Sequence, residues 1–131
     1  MIRIATICLS VYWLAIFAAT HLPSRALPGL QWSDKVYHII AFSGLAFLLA
    51  WALPNRLSRT FPHVVLAALI GLLYACLDEF TQQFIPGRTC DVWDVLADAG
   101  GIAIGLAIYW TLRQALSHLS WGRRLIHSLS R

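Results

Sequence analysis

The sequence predicts an all-α integral membrane bundle of four transmembrane helices with both termini in the cytoplasm, and three observations predict it. The first is composition. Of the 131 residues, 59% are hydrophobic and only 12% charged, and the mean hydropathy is +0.67. Average soluble domains carry roughly 25% charged residues, so ten basic and six acidic side chains cannot supply the polar skin of a soluble globule. That excludes a soluble enzyme, a disordered chain and a nucleic-acid-binding domain. The second observation is four apolar runs, each near the about 17–25 residues that cross a bilayer as a helix. The third is that Lys and Arg gather in alternate connections, which fixes orientation because basic residues stay on the cytoplasmic side.

The spans follow in order along a single 1–131 domain. The first covers about 4–22, and its length and lack of a crisp small-residue cleavage site mark it as a span rather than a removed signal. The second covers about 36–53, the third about 63–85 with a polar face near its end, and the fourth about 92–112. Pro23, Pro28, Pro54, Pro62 and Pro86 all fall in the connections, where they break no helix. Residues 113–131 form a basic amphipathic tail, with Leu112, Leu116, Leu119 and Ile126 on one stripe, suited to an anionic leaflet. Trp32, Trp51, Trp93 and Tyr109 read as interface belts and packing. Cys8, Cys76 and Cys90 have neither zinc nor C-x-x-C spacing and propose no disulfide framework.

With the N-terminus inside, Arg3, Arg56, Arg59, Arg113, Arg123, Arg124 and Arg131 lie in the cytoplasm. Arg25, Lys35 and Arg88 lie outside, together with all six acids. The net charge of +4 is therefore mostly a topology signal. The positive-inside rule does not explain why the acids collect at one end.

Ionisable side chains inside spans are costly and mark functional sites by default. Asp91, Asp94 and Asp98 follow i, i+3 and i+7 and share one helix face, which continues into Gly101 and Gly105. That G-x-x-x-G allows a neighbouring backbone to approach closely. In the third span Gly71, Ala75, Asp78 and Gln82 form a small-residue stripe that turns polar, with Glu79 alongside. The second opens with Asp34, Lys35 and His38, and the turn before the fourth adds Arg88, whose planar fork suits carboxylate or phosphate. Ten polar groups thus reach one depth: Asp34, Lys35, His38, Asp78, Glu79, Gln82, Arg88, Asp91, Asp94 and Asp98. Simple neutralisation, Arg88 with Glu79 or Asp94 and Lys35 with Asp78, is the structural alternative. His21 reads as interfacial. A short internal echo sets Asp34 and His38 against Asp94 and Asp98, each pair following a Pro-x-Arg.

The Asp-Lys-x-x-His at 34–38, the acidic residue before Gln82 or Gln83, and the Pro-Gly-Arg turn leading to Asp91 and Asp94 together resemble the VanZ-like family of small bacterial membrane proteins. The likeness covers about 34–105, with Asp98 a departure where many relatives would carry Asn. The resemblance implies a cell-envelope role in the bacterial cytoplasmic membrane, and its namesake is associated with resistance to teicoplanin-type lipoglycopeptides. Three functions stay open. A binding module would use the ten outer groups to recognise an envelope lipid, a lipid-linked precursor or a lipoglycopeptide, with Lys35 and Arg88 on phosphate or carboxylate. An enzyme acting on a phospholipid or polyprenyl-linked substrate would draw its acid and base from His38, Glu79 and Asp94. Asp78, Glu79, Asp91 and Asp94 would then hold Mg²⁺ or Mn²⁺, since oxygen ligands suit hard cations. A structural membrane partner is the third.

Overall fold

The computed structural model describes residues 4–23, 34–53 and 60–129. They form five α-helices: α1 (Ile4–Thr20), α2 (Asp34–Ala52), α3 (Thr60–Gln82), α4 (Val92–Ser117) and α5 (Ser120–Leu129). Arg3, Arg25, Trp32, Arg56, Arg59 and Arg131 lie outside the described residues. Three helices, α2, α3 and α4, are long and apolar enough to cross a membrane. At 17 residues α1 is apolar and shorter, at the lower edge of what spans a bilayer.

The bundle is inverted relative to a soluble protein. Its outer surface carries exposed apolar side chains such as Leu14 at 69% and Leu73 at 64%, whereas Asp78, Glu79 and Asp98 are almost fully buried. Apolar residues can face lipid without penalty, so packing is left to small residues and buried polar bonds. The largest interface joins α2 to α4, and α1 leans mainly on α2. A methyl group at Gly101 would stand 2.5 Å from the carbonyl oxygen of Ile39, and one at Gly105 would meet the carbonyl of Ser43. The two backbones therefore touch along the glycine face. Ser43 Oγ lies 2.7 Å from the carbonyl of Ile39 and 2.9 Å from that of Gly101, which links the helices at the same level.

At one end of the bundle Trp51, Phe47 and His63 surround the fully buried Tyr109, whose hydroxyl accepts a hydrogen bond from Arg113. Tyr109 and Trp51 are thus interior packing and not interface belt, while Trp93 is 66% exposed. His63 Nε2 donates to the carbonyl of Ala50 at 2.6 Å, satisfying an acceptor in the last turn of α2.

Three boundaries differ from expectation. Helix α3 begins at Thr60, so Pro62 lies in its first turn, where proline is tolerated, and not in the connection. Helix α4 runs past Arg113 to Ser117, and the tail does not continue it as one amphipathic stripe. The chain turns at His118 and Leu119, and Gly122 of α5 packs against the carbonyl of Leu116. Leu116 is consequently buried, whereas Leu112 and Leu119 are exposed at 41% and 42%. Ile126 of α5 nevertheless packs against the core that includes Leu116, so α5 folds back onto the bundle. Helix α3 ends at Gln82, and the residues up to Arg88 form turns instead of extending the helix.

Candidate functional site

The C-terminal ends of α1 and α3 and the N-terminal ends of α2 and α4 meet at the opposite end of the bundle. The turn before α4 is a hydrogen-bonded Ile85-Pro86-Gly87-Arg88, closed by the Arg88 N–H to the Ile85 carbonyl at 3.0 Å. Gly87 has φ 82°, the left-handed value that a type II turn requires after proline. Asp91 caps α4 by accepting the Trp93 N–H at 2.9 Å. These local features aim Arg88 back across the bundle and start α4 beside α2.

One half of the polar end is a closed network. Asp78 accepts from Thr20 Oγ1 at 2.9 Å, from the Tyr74 hydroxyl at 3.1 Å and from Gln82 Nε2 at 2.9 Å. Gln82 turns its oxygen to Arg88 at 3.0 Å. Arg88 also donates to the carbonyls of Leu22 at 3.0 Å and Ala19 at 3.4 Å, at the end of α1. Glu79 accepts the Asp91 N–H at 2.7 Å and lies 3.4 Å from Gln82 Nε2. His21 joins through Thr81 Oγ1 at 2.9 Å.

The other half is open. Lys35 binds Asp91 at 3.0 Å and Asp94 at 2.7 Å. The Trp93 N–H and the Lys35 ammonium hold the Asp91 carboxyl below its usual pKa. His38 Nδ1 is 2.9 Å from Asp98 Oδ1 in a buried pair. Among the described residues His38 Nε2 has no hydrogen-bond partner, and Asp98 Oδ2 is buried without one. Ligand atoms of Asp34, His38 and Asp94 all lie within 4.8 Å of one another. Asp34 and His38 on α2 thus stand opposite Asp94 and Asp98 on α4.

A cleft of about 420 Å³ between α1 and α2 leads to this half. Tyr12, Ala15, Ile16, Ala19, Ile40 and Ala41 supply much of its apolar wall, and Thr20, Asp34, His38 and Arg88 its polar part. Ala15, Ala19 and Ile40 are exposed, so the cleft opens on the lipid-facing surface.

The structure brings all ten predicted groups to one end, but with different partners. Lys35 engages Asp91 and Asp94 and not Asp78, and Arg88 engages an amide and two carbonyls and not Glu79 or Asp94. Asp78 and Glu79 are occupied by protein donors, whereas ligand atoms of Asp34, His38 and Asp94 converge within 4.8 Å.

Against known families, the VanZ/LLP1 model matches residues 5–113. The chain belongs to the VanZ/LLP1 family. No curated protein and no solved structure matches it. The matched stretch of this VanZ/LLP1 membrane protein contains the whole polar end and the cleft, and α5 lies beyond it. Thr20, His21, Tyr74 and Thr81 complete the network but are absent from the ten groups drawn from sequence. Tyr74 lies one turn before Asp78, the spacing of a side-chain pair, which is a sequence signal for Tyr74 alone.

Proposed function

We propose that this VanZ/LLP1 protein binds an acylated amphiphile of the bacterial cell envelope at its polar end. The observation that carries the reading is the cleft between α1 and α2, apolar along its walls and polar at Thr20, Asp34, His38 and Arg88. Its volume falls within the about 300–1,000 Å³ of small-molecule sites, and a mostly apolar wall with a few placed polar groups is their usual chemistry. An acyl chain entering from the lipid would lie along Ala15, Ala19 and Ile40, leaving its head group at the polar groups. The basic residues favour the cytoplasmic membrane with the polar end outside, where two sources share this chemistry: an envelope lipid or lipid-linked precursor, and a teicoplanin-type lipoglycopeptide. Sequestering the latter would supply resistance.

A second reading, turnover of such a lipid, is favoured by His38. Asp98 holds one ring nitrogen while the ring borders the cleft, the arrangement of an oriented general base.

Native mass spectrometry of the detergent-purified protein tests both. Copurified lipid and added lipoglycopeptide are measured as separate adducts, with Ala15→Trp filling the exposed wall and Ala107→Trp on α4 as a control. The expected result is loss of adducts only in Ala15→Trp. Loss of the lipid alone or the lipoglycopeptide alone identifies the source, and a bound lipid converted to a new mass marks an enzyme. Adducts unchanged by Ala15→Trp would overturn the binding site.

A further inference from the structure

We propose that Asp34, His38 and Asp94 form a site for one hard divalent cation of the Mg²⁺ or Mn²⁺ class at the head of the cleft. One ligand atom from each residue lies within 4.8 Å of the others. Ligand atoms around one such ion at about 2.1 Å stand about 3.0 Å apart when adjacent and about 4.2 Å when opposite, so the three side chains would draw inward around the ion.

An independent observation points the same way. His38 is 5% exposed, its Nδ1 is held by Asp98, and the ring borders the cleft with Nε2 unpartnered among the described residues. Among the described residues the one buried side-chain polar atom without a partner is Asp98 Oδ2 in the same pair, and such an atom is costly unless something enters to meet it. With Nδ1 turned to the Asp98 carboxylate, Nε2 is the ring nitrogen left to face the cleft. That is the carboxylate–histidine pairing that orients metal-bound imidazoles. Asp98 therefore acts as a positioning residue.

Charge argues for a cation and not an anion. Asp34, Asp91, Asp94 and Asp98 lie in this half, against Lys35 paired with Asp91 and Asp94, His38 paired with Asp98, and Arg88, which lines the same cleft. Four carboxylates against the two fixed cations Lys35 and Arg88 still leave a negative excess that a divalent ion would offset. Lys35 holds Asp94 through Oδ1, leaving the second oxygen for the ion. Asp34 is exposed, so water or a ligand phosphate can complete the coordination that such ions prefer. Carboxylate and imidazole donors without sulfur suit Mn²⁺ and Mg²⁺.

The site does not rest on the lipid reading, and its test contains no lipid ligand. The purified protein is stripped with chelator and titrated with Mn²⁺ alone, followed by electron paramagnetic resonance. The expected result is one bound Mn²⁺ per chain with a nitrogen hyperfine coupling. That coupling should vanish in His38→Gln and survive in His21→Gln, which alters the other histidine at this end. Asp34→Asn, at an exposed position where folding is safe, should weaken binding about tenfold or more, since losing a ligand costs at least as much as losing its support. No bound Mn²⁺, a signal without nitrogen coupling, or affinity unchanged in Asp34→Asn would overturn the site.

Discussion

Arg88 directs its guanidinium at two backbone carbonyls and the Gln82 oxygen, and touches no carboxylate. A planar fork can reach three acceptors on two helices at once, and an ammonium cannot. Charge balance alone would leave Arg88→Lys close to wild type. The bonding geometry predicts instead that Arg88→Lys and Arg88→Ala both lower the melting temperature in detergent, by a destabilisation on the order of 1–3 kcal/mol. A lysine variant that melts like the native protein would return Arg88 to simple charge compensation. Arg88 also shows where sequence stops being informative. The spacing of Asp94 and Asp98 placed both on a buried face, because helical period alone decides that. Which cation meets which acid depends on how far each helix is rotated and how deep it sits, and no single-helix pattern carries that. Thr20 and Tyr74 were missed for a related reason: one closes an apolar run and the other sits inside one, so neither breaks the hydrophobic signal.

The α2–α4 pair is the element on which both halves of the polar end depend. Gly101 and Gly105 let the backbones meet at Ile39 and Ser43, and one turn nearer the polar end this contact sets His38 against Asp98. Gly105→Ala forces a methyl group against a carbonyl that belongs to backbone and cannot swing aside. The expected destabilisation is about 1–3 kcal/mol or more, read as a lower thermal melt, together with weaker Mn²⁺ binding as Asp94 draws away from Asp34. Gly100 is the internal control, since a side chain there meets nothing within 4 Å. Gly100→Ala should be neutral, or more stable by up to about 1 kcal/mol from helix propensity. Equal melts for the two variants would mean that the helices are not held at backbone contact. The small-residue face was legible because glycine spacing is a local property. The break between α4 and α5 was not, because it follows from Gly122 folding back on the Leu116 carbonyl, a tertiary contact.

The whole molecule is electrically polar along its axis. Among the described residues, Asp34, Asp78, Glu79, Asp91, Asp94 and Asp98 lie at one end with Lys35 and Arg88, while Arg113, Arg123 and Arg124 lie at the other. Basic segments are retained on the cytoplasmic side and acids count little in that choice. The basic end is therefore expected inside, and the cleft and its polar head outside. The protein carries its own reporter, because Cys90 is exposed beside the Arg88 turn, at the polar end. In a Cys8→Ser, Cys76→Ser background, a membrane-impermeant maleimide added to intact cells should label Cys90. Adding Ser120→Cys in a chain that also carries Cys90→Ser moves the thiol to the first residue of α5, where labelling should require permeabilised cells. The reversed pattern would place the cleft in the cytoplasm and remove the lipoglycopeptide as a ligand, because that drug reaches the membrane from outside. The cation site would survive such a reversal, since its geometry depends on α2 and α4 and not on which side they face.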